Sequence, residues 1–324
     1  MRPRIVFGVF SATQSGETVS QLAAALRPHT VVVHHDFSKR ADFSVTGSNV
    51  VMVPDPRNTG WGSWGFADSI FHTLAFARKH LEFDFFQTMS PTCLPVRPLQ
   101  CLEERVQRGE FDVHADMFPI ERDTDSLMNY GFRTYVPGSN LTMRLLRRAR
   151  NWYFGADSDW VQTSSLAMLV RPKERGLGWS HPLAATGVAL TRMAARGWMS
   201  KHPFGPGFRP WIGSIWIGMR PAVIDYLLSM RDDPRVSDYF TRLQLVDELL
   251  FPTLLANHPK WRIGHSNHAV SDFTLQGSPR WIADAEFEAL VATGRVFARK
   301  FQDDPKAPLR ARALQRSSQT VEIA

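Results

Sequence analysis

Cysteine is scarce: Cys93 and Cys101 are the only two in 324 residues. They are too few for a disulfide framework and do not form a metal-ligand set. A reducing compartment is the simpler expectation. Long apolar runs are also missing. Ile5-Val6-Phe7-Gly8-Val9-Phe10 is shorter than a signal-peptide core and breaks into Ser11-Ala12-Thr13-Gln14-Ser15-Gly16. Nothing approaches the about 20 apolar residues that span a bilayer. Gly8 to Gly16 lacks the Gly-Lys-Ser/Thr ending of a phosphate-binding P-loop. There is no internal repeat, and no finger, homeodomain or RRM pattern, so no nucleic-acid partner is expected.

What is present is ordinary globular composition, with 44% hydrophobic and 21% charged residues in a chain long enough for one large α/β domain. The formal charge of +7 and pI near 9.7 suit an anionic ligand. Part of that excess is local, in Arg144, Arg147, Arg148 and Arg150 and in Arg310, Arg312 and Arg316. Both clusters also read as solvated basic faces.

Residues 5–10 read as a buried strand and Glu17 to Leu26 as a helix with Val19, Leu22, Ala23 and Leu26 on one face. Thr30 to His35 and Asn49 to Val53 read as strands, and Trp64 to His80 as a long helix. Phe83 to Met89 is a fourth strand, followed by a loop punctuated by Pro91, Pro95 and Pro98, and Glu103 to Arg108 a short helix. Strands alternating with helices predict a mostly parallel sheet covered by helices. Ligands then bind beyond the strands' C-terminal ends, which places Ser11–Gly16, His34–Arg40 and Ser90–Arg97 around one crevice. Residues 122–209 read as irregular, and Lys201 to Pro210 as a Gly/Pro loop, either lid or connector. Helices follow over Pro221–Met230 and Leu249–Ala256, and the chain is expected to fray after Asp303, leaving a domain over 1–302 and a basic tail over 303–324.

Val246-Asp247-Glu248 opens the apolar helix Leu249 to Ala256. Carboxylates at a helix N-terminus are favoured by its dipole whatever their function. Their surroundings add more. Trp61-Gly62, a helix, then Phe83-Asp84-Phe85-Phe86 form one block. Gly213-Ser214-Ile215-Trp216-Ile217 with Arg220 form a second, Asp247-Glu248-Leu249-Leu250-Phe251-Pro252-Thr253-Leu254-Leu255 a third, and Phe297-Ala298-Arg299-Lys300-Phe301 a fourth. In this order the blocks resemble the Core-2/I-branching N-acetylglucosaminyltransferase and xylosyltransferase family, across residues 5 to 303.

The resemblance implies a GT-A-type nucleotide-sugar fold and an inverting, single-displacement transfer from a UDP-sugar donor to a glycan or glycolipid hydroxyl. It implies Glu248 as general base, a role one carboxylate within reach of the attacking hydroxyl can fill. It implies Lys300, with Arg299 beside it, on the diphosphate in place of a metal, as charge-assisted donors allow. Arg280, Asp36 and Ser11 join the donor side, and Asp247, Trp216 and Trp61 the acceptor or sugar contacts. No cofactor and no metal are expected. The pairs Asp123/Asp125 and Asp157/Asp159 read as solvated loop acids, the metal-dependent alternative resting on them; an inactive glycan-binding protein on this fold is the other. Where the family carries Ser-Gly-x-Asp-Tyr-Pro-Leu, this chain has Ser90-Pro91-Thr92-Cys93-Leu94-Pro95-Val96, which puts the donor-sugar contacts in question. His29, His34 and His35 read as packing residues. By analogy the chain belongs in a bacterial cytoplasm, with contact at the inner face of the membrane left open.

Overall fold

Residues of the first strand, β1 (Ile5–Ser11), alternate between two apolar layers: Val6 and Phe10 enter one, Ile5, Phe7 and Val9 the other. A strand covered on both faces needs an apolar side chain at nearly every position, and this run supplies them. The computed structural model describes residues 2–60, 62–119, 158–162, 168–172, 203–243, 246–271 and 280–318.

After β1 comes α1 (Gly16–Ala25), capped by Ser15, whose Oγ accepts the Thr18 amide at 3.2 Å. Then follow β2 (Thr30–His35), β3 (Val50–Met52), α2 (Trp64–His80), β4 (Phe85–Met89), β5 (Leu94–Pro95) and α3 (Gln100–Arg108). Next are β6 (Val113–His114), β7 (Met117–Pro119) and an antiparallel hairpin of β8 (Ser158–Gln162) and β9 (Met168–Pro172). The last part holds β10 (Trp211–Gly213), β11 (Gly218–Met219), α4 (Pro221–Met230), α5 (Pro234–Ser237) and α6 (Val246–Ala256). It closes with β12 (Ile263–Gly264), β13 (Ala269–Ser271), α7 (Phe287–Ala292), β14 (Phe297–Arg299) and α8 (Pro308–Ser317).

Seven strands form one sheet in the order β12-β6-β11-β4-β1-β2-β3. Every neighbouring pair is parallel except those of β11, which runs antiparallel to both β4 and β6. One face is covered by α2, α4 and α6, through residues such as Ile70, Leu74, Ile224, Leu227, Leu250 and Leu254. The other is covered by α1, α3, α7 and a small sheet of β13, β14 and β5. The mostly parallel sheet flanked by helices is therefore as the alternation of elements predicts.

Several expectations are corrected. The proline-punctuated loop after β4 contains a strand, β5, because Leu94 and Pro95 pair with Ala298 and Phe297 far along the chain. The helix expected from Glu103 starts at Gln100. Asp159 is not a loop acid: it lies in β8, opposite Arg171. Asp123, Asp125, Asp157 and the basic cluster Arg144 to Arg150 lie outside the described residues. The described part of the Gly/Pro loop is a pinned connector, since Arg209 gives its N–H to Asn257 Oδ1 at 2.7 Å and Phe208 is buried in the core.

The chain does not fray after Asp303. α8 carries Ala313 into the core beside α1, so the folded body continues to residue 318. Arg310, expected on a solvated face, is 1% exposed. It donates to Gln21 Oε1 at 2.7 Å, to the Gln302 carbonyl at 3.1 Å and to the Thr18 carbonyl at 3.2 Å. Among the described residues no helix is long and apolar enough to cross a membrane.

Candidate active site

The C-terminal ends of β1, β2 and β4 share one edge of the sheet, as their register requires. Hydrogen bonds link the loops that leave them. Asp36 donates its N–H to the Ser11 carbonyl at 2.9 Å, and Ser11 Oγ lies 3.2 Å from His35 Nδ1. Arg40 Nη1 reaches the Thr13 carbonyl at 3.4 Å. Asp303 accepts the Ser15 N–H at 2.9 Å and also takes the Thr18 hydroxyl, joining the segment after β14 to the N-terminus of α1. Phe301 gives its N–H to the Thr92 carbonyl at 2.9 Å. The segments expected around one crevice are thus connected, with the 299–303 segment as the link.

On the β4 side, Thr88 Oγ1 donates to the Ile215 carbonyl at 2.5 Å and accepts the Ile217 N–H at 2.7 Å. This holds the Gly213–Ile217 segment against the strand end. Gly213 is required there, because a Cβ would fall 2.3 Å from the Asp116 carbonyl oxygen. Trp216 lies under the Arg299 guanidinium, 4.9 Å from the ring centroid.

Glu248 occupies the first turn of α6, half-buried, and its carboxylate acts on the charge of Arg299. Asp247 beside it is 6% exposed, and its Oδ1 is buried with no hydrogen-bond partner. Burial pushes its carboxyl up to about 6, against its own backbone N–H, which lowers it. Thr253 and Asn257 fix the other end of α6: Thr253 Oγ1 accepts the Trp211 N–H at 3.0 Å, and Asn257 Nδ2 donates to the Arg209 carbonyl at 2.6 Å. Pro252 has no N–H to offer the Glu248 carbonyl four residues back.

Burial lowers the pKa of Arg299, with Cys93 and Glu248 pulling the other way. Lys300 is lowered by burial and then by the charge of Arg299. Adjacent cations of this kind favour a shared anion. Lys300 Nζ sits 4.1 Å from the Trp281 ring centroid, and Trp281 is 47% exposed. Arg280 is engaged by Glu286 at 2.7 Å. The Cys93 thiol is buried and pushed up by that burial, which opposes thiolate formation.

Asp36 is 1% exposed and fully engaged by protein donors. Its Oδ1 accepts the Ser38 N–H at 3.0 Å and hydroxyl at 2.6 Å, and its Oδ2 the Thr59 N–H and hydroxyl, both at 2.7 Å. Burial alone would raise its pKa, but these bonds outweigh it and hold the carboxyl at about 2. Asp36 thus braces the rim. His34 Nε2 accepts the Arg57 N–H at 2.8 Å, and burial pushes that imidazole down to about 4. His29 lies 2.8 Å from Glu103.

Glu248, Arg299 and Trp216 are therefore gathered at one edge with Lys300 adjoining. Ser11 and Asp36 lie at the ends of β1 and β2, and Trp61 lies outside the described residues. Trp281 and Phe37 escape sequence reasoning. Phe37 is 40% exposed beside Asp36, its ring 4.8 Å from that of His35. The only sequence signal for either is an aromatic next to a residue already singled out. The chain matches no protein-family model and no curated protein sequence.

Proposed function

We propose that this chain is a metal-independent, inverting glycosyltransferase of GT-A type, moving N-acetylglucosamine or xylose from a UDP donor to a glycan or glycolipid hydroxyl. The observation that carries the reading is Arg299 stacked on Trp216 and next to Lys300, with the charge of Glu248 favouring its own, beside the end of β4 in a mostly parallel sheet. The four blocks that resemble the Core-2/I-branching family supply the same residues in the same order.

In one displacement the acceptor oxygen forms its bond to the anomeric carbon while its proton passes to a Glu248 carboxylate oxygen. The bond from that carbon to the β-phosphate oxygen breaks, and the electron pair leaves with the diphosphate. Lys300 and Arg299 receive the new negative charge, and Arg280 can join them by exchanging Glu286 for phosphate. Trp216, held by its Arg299 contact, and Asp247 form the acceptor side. Ser11 and Asp36 shape the donor rim through the loops they fasten, and Phe37 and Trp281 offer ring faces to the base or sugar. The cytoplasmic side of a membrane is the proposed place of work.

UDP release from a panel of UDP-sugars, with and without EDTA, tests this. Release from one donor that survives EDTA is expected, and Glu248→Gln should lower transfer by at least about a hundredfold. Activity lost to EDTA and restored by manganese would move the assignment to an Asp-x-Asp metal site. Near-normal transfer by Glu248→Gln would remove the base. No UDP binding by calorimetry would leave a glycan-binding protein.

A further inference from the structure

A second group of cations lies away from Glu248, where α3, the turn before β14 and the end of β6 meet. Arg97 Nη1 and Arg105 Nη2 donate to the same oxygen, the Gly294 carbonyl, at 3.1 and 2.9 Å. Their charged nitrogens are thus no more than about 6 Å apart, a separation at which like charges repel. Arg105 Nη1 lies 3.4 Å from His268 Nδ1, a buried imidazole whose pKa is lowered by burial and by the neighbouring charges. The next imidazole, His114, has its ring 4.3 Å from that of His268 and is pushed down to about 4 by burial. Neither ring supplies negative charge.

Arg295 follows Gly294 and gives Nη1 to Ser266 Oγ at 2.5 Å. Its contact with Asp116 is long, at 3.4 Å, and burial pushes the Asp116 carboxyl up. Among the described residues no carboxylate pairs with Arg97 or Arg105. Near the N-terminal ends of β1 and β4, by contrast, Arg4 is matched by Glu82 and Asp84, and Arg78 by Asp225. Among the described residues the Arg97 group thus carries excess positive charge, and Arg97, Arg105 and Arg295 are each only half-buried.

We infer that Arg97, Arg105 and Arg295 form a second anion site, which takes a phosphate or carboxylate group. Guanidinium forks suit such oxyanions because paired N–H donors match two oxygens. Four residues of extended chain separate Arg295 from Arg299, at most about 14 Å. Arg295 touches the Asp116 carboxylate, and the Asp116 backbone carbonyl accepts the Ser214 N–H at 2.9 Å, two residues from Trp216. A glycan lying over Trp216 can therefore bring an acidic group to this site. That extension rests on the proposed transferase reading, whereas the anion site itself does not.

The test is calorimetric binding to purified protein without donor sugar, at fixed ionic strength. Three probes are used: inorganic phosphate, an oligosaccharide containing glucuronic acid, and a neutral chitin oligosaccharide of equal length. Arg97→Gln and Arg97→Gln/Arg105→Gln are compared with Arg312→Gln, an exposed arginine engaged by Asp284 and Glu288. Arg97→Gln alone leaves Arg105 on the Gly294 carbonyl, so it keeps the test valid if the double variant misfolds.

We expect at least one anionic probe to bind, with about tenfold loss in Arg97→Gln and little change in Arg312→Gln. Phosphate binding with no preference for the acidic glycan identifies a free-phosphate site. Tighter binding of the acidic glycan than of both other probes assigns the site to an acidic acceptor. Binding of neither anion, or equal binding by Arg97→Gln and Arg312→Gln, overturns the proposal. Because no donor is present, it can fail while transfer stands, and transfer can fail while it stands.

Discussion

Asp36 accepts four hydrogen bonds on its two carboxylate oxygens, while Oδ1 of Asp247 accepts none, although both residues are buried. Burial works against the charge in both cases, and donors decide which side wins. At Asp36 the carboxyl is held at about 2, below its ordinary 3.8, so its stabilisation is present above about pH 4 and lost as pH falls through about 2. At Asp247 the sign reverses. With the folded pKa raised from 3.8 to about 6, the native state keeps a proton that the unfolded chain releases, and stability falls as pH rises through that window. Asp247→Asn keeps the volume without the ionisation. The variant should therefore be more stable than the parent at pH 7, by up to about 3 kcal/mol, and equal to it near pH 4. Urea unfolding at both pH values checks this. An equal or less stable variant at pH 7 would mean that the carboxylate is compensated in the folded protein.

Elements with a sustained apolar period are legible in the sequence. Thr30–His35, Trp64–His80 and Pro221–Met230 have the bounds that their apolar spacing predicts. The two-residue strand β5 was not, because a segment that short has no period and contains a proline. It exists through its pairing with β14. α8 was hidden by composition: its buried stripe includes an arginine, which pattern reading assigns to solvent. At the site, Glu248, Arg299 and Lys300 were legible as blocks in order, whereas the Asp303 clasp on Ser15 depends on an approach between distant segments. α6 falls between these cases, since its apolar run is plain but Pro252 lies inside it. Alanine there restores an N–H for the Glu248 carbonyl and gains up to about 3 kcal/mol in helix propensity. If the proline sets the course of the first turn, Pro252→Ala should keep or raise the melting temperature. It should also lower kcat by about tenfold through displacement of Glu248. A raised melting temperature with unchanged kcat would show that the turn is fixed by Thr253 and Asn257 instead.

At the scale of the whole molecule, the chain beyond Lys300 turns back onto α1. The segment after Lys300 is fastened to α1 and its cap at three levels, by Asp303 on Ser15, Pro305 on Gln21, and Arg310 on Gln21 and Thr18, while Arg310 also holds the Gln302 carbonyl. Arg310 is among the largest fully buried side chains of the described residues, and burial pulls its guanidinium down to about 10 while Asp303 and Asp304 oppose that fall. Replacing it by methionine keeps much of the aliphatic volume and leaves three oxygen acceptors without their donor. An unsatisfied buried acceptor costs about 1–3 kcal/mol, while removal of a buried charge recovers part of that, so Arg310→Met should lose about 2 kcal/mol or more. The melting temperature should then fall by several degrees. If the clasp also positions Lys300, the KM for the UDP-sugar should rise several-fold. A lower melting temperature with an unaltered KM would confine α8 to the core. A raised KM together with the loss of stability would make the C-terminal helix part of the donor site's frame, joined to it by the short stretch from Lys300 to Asp303.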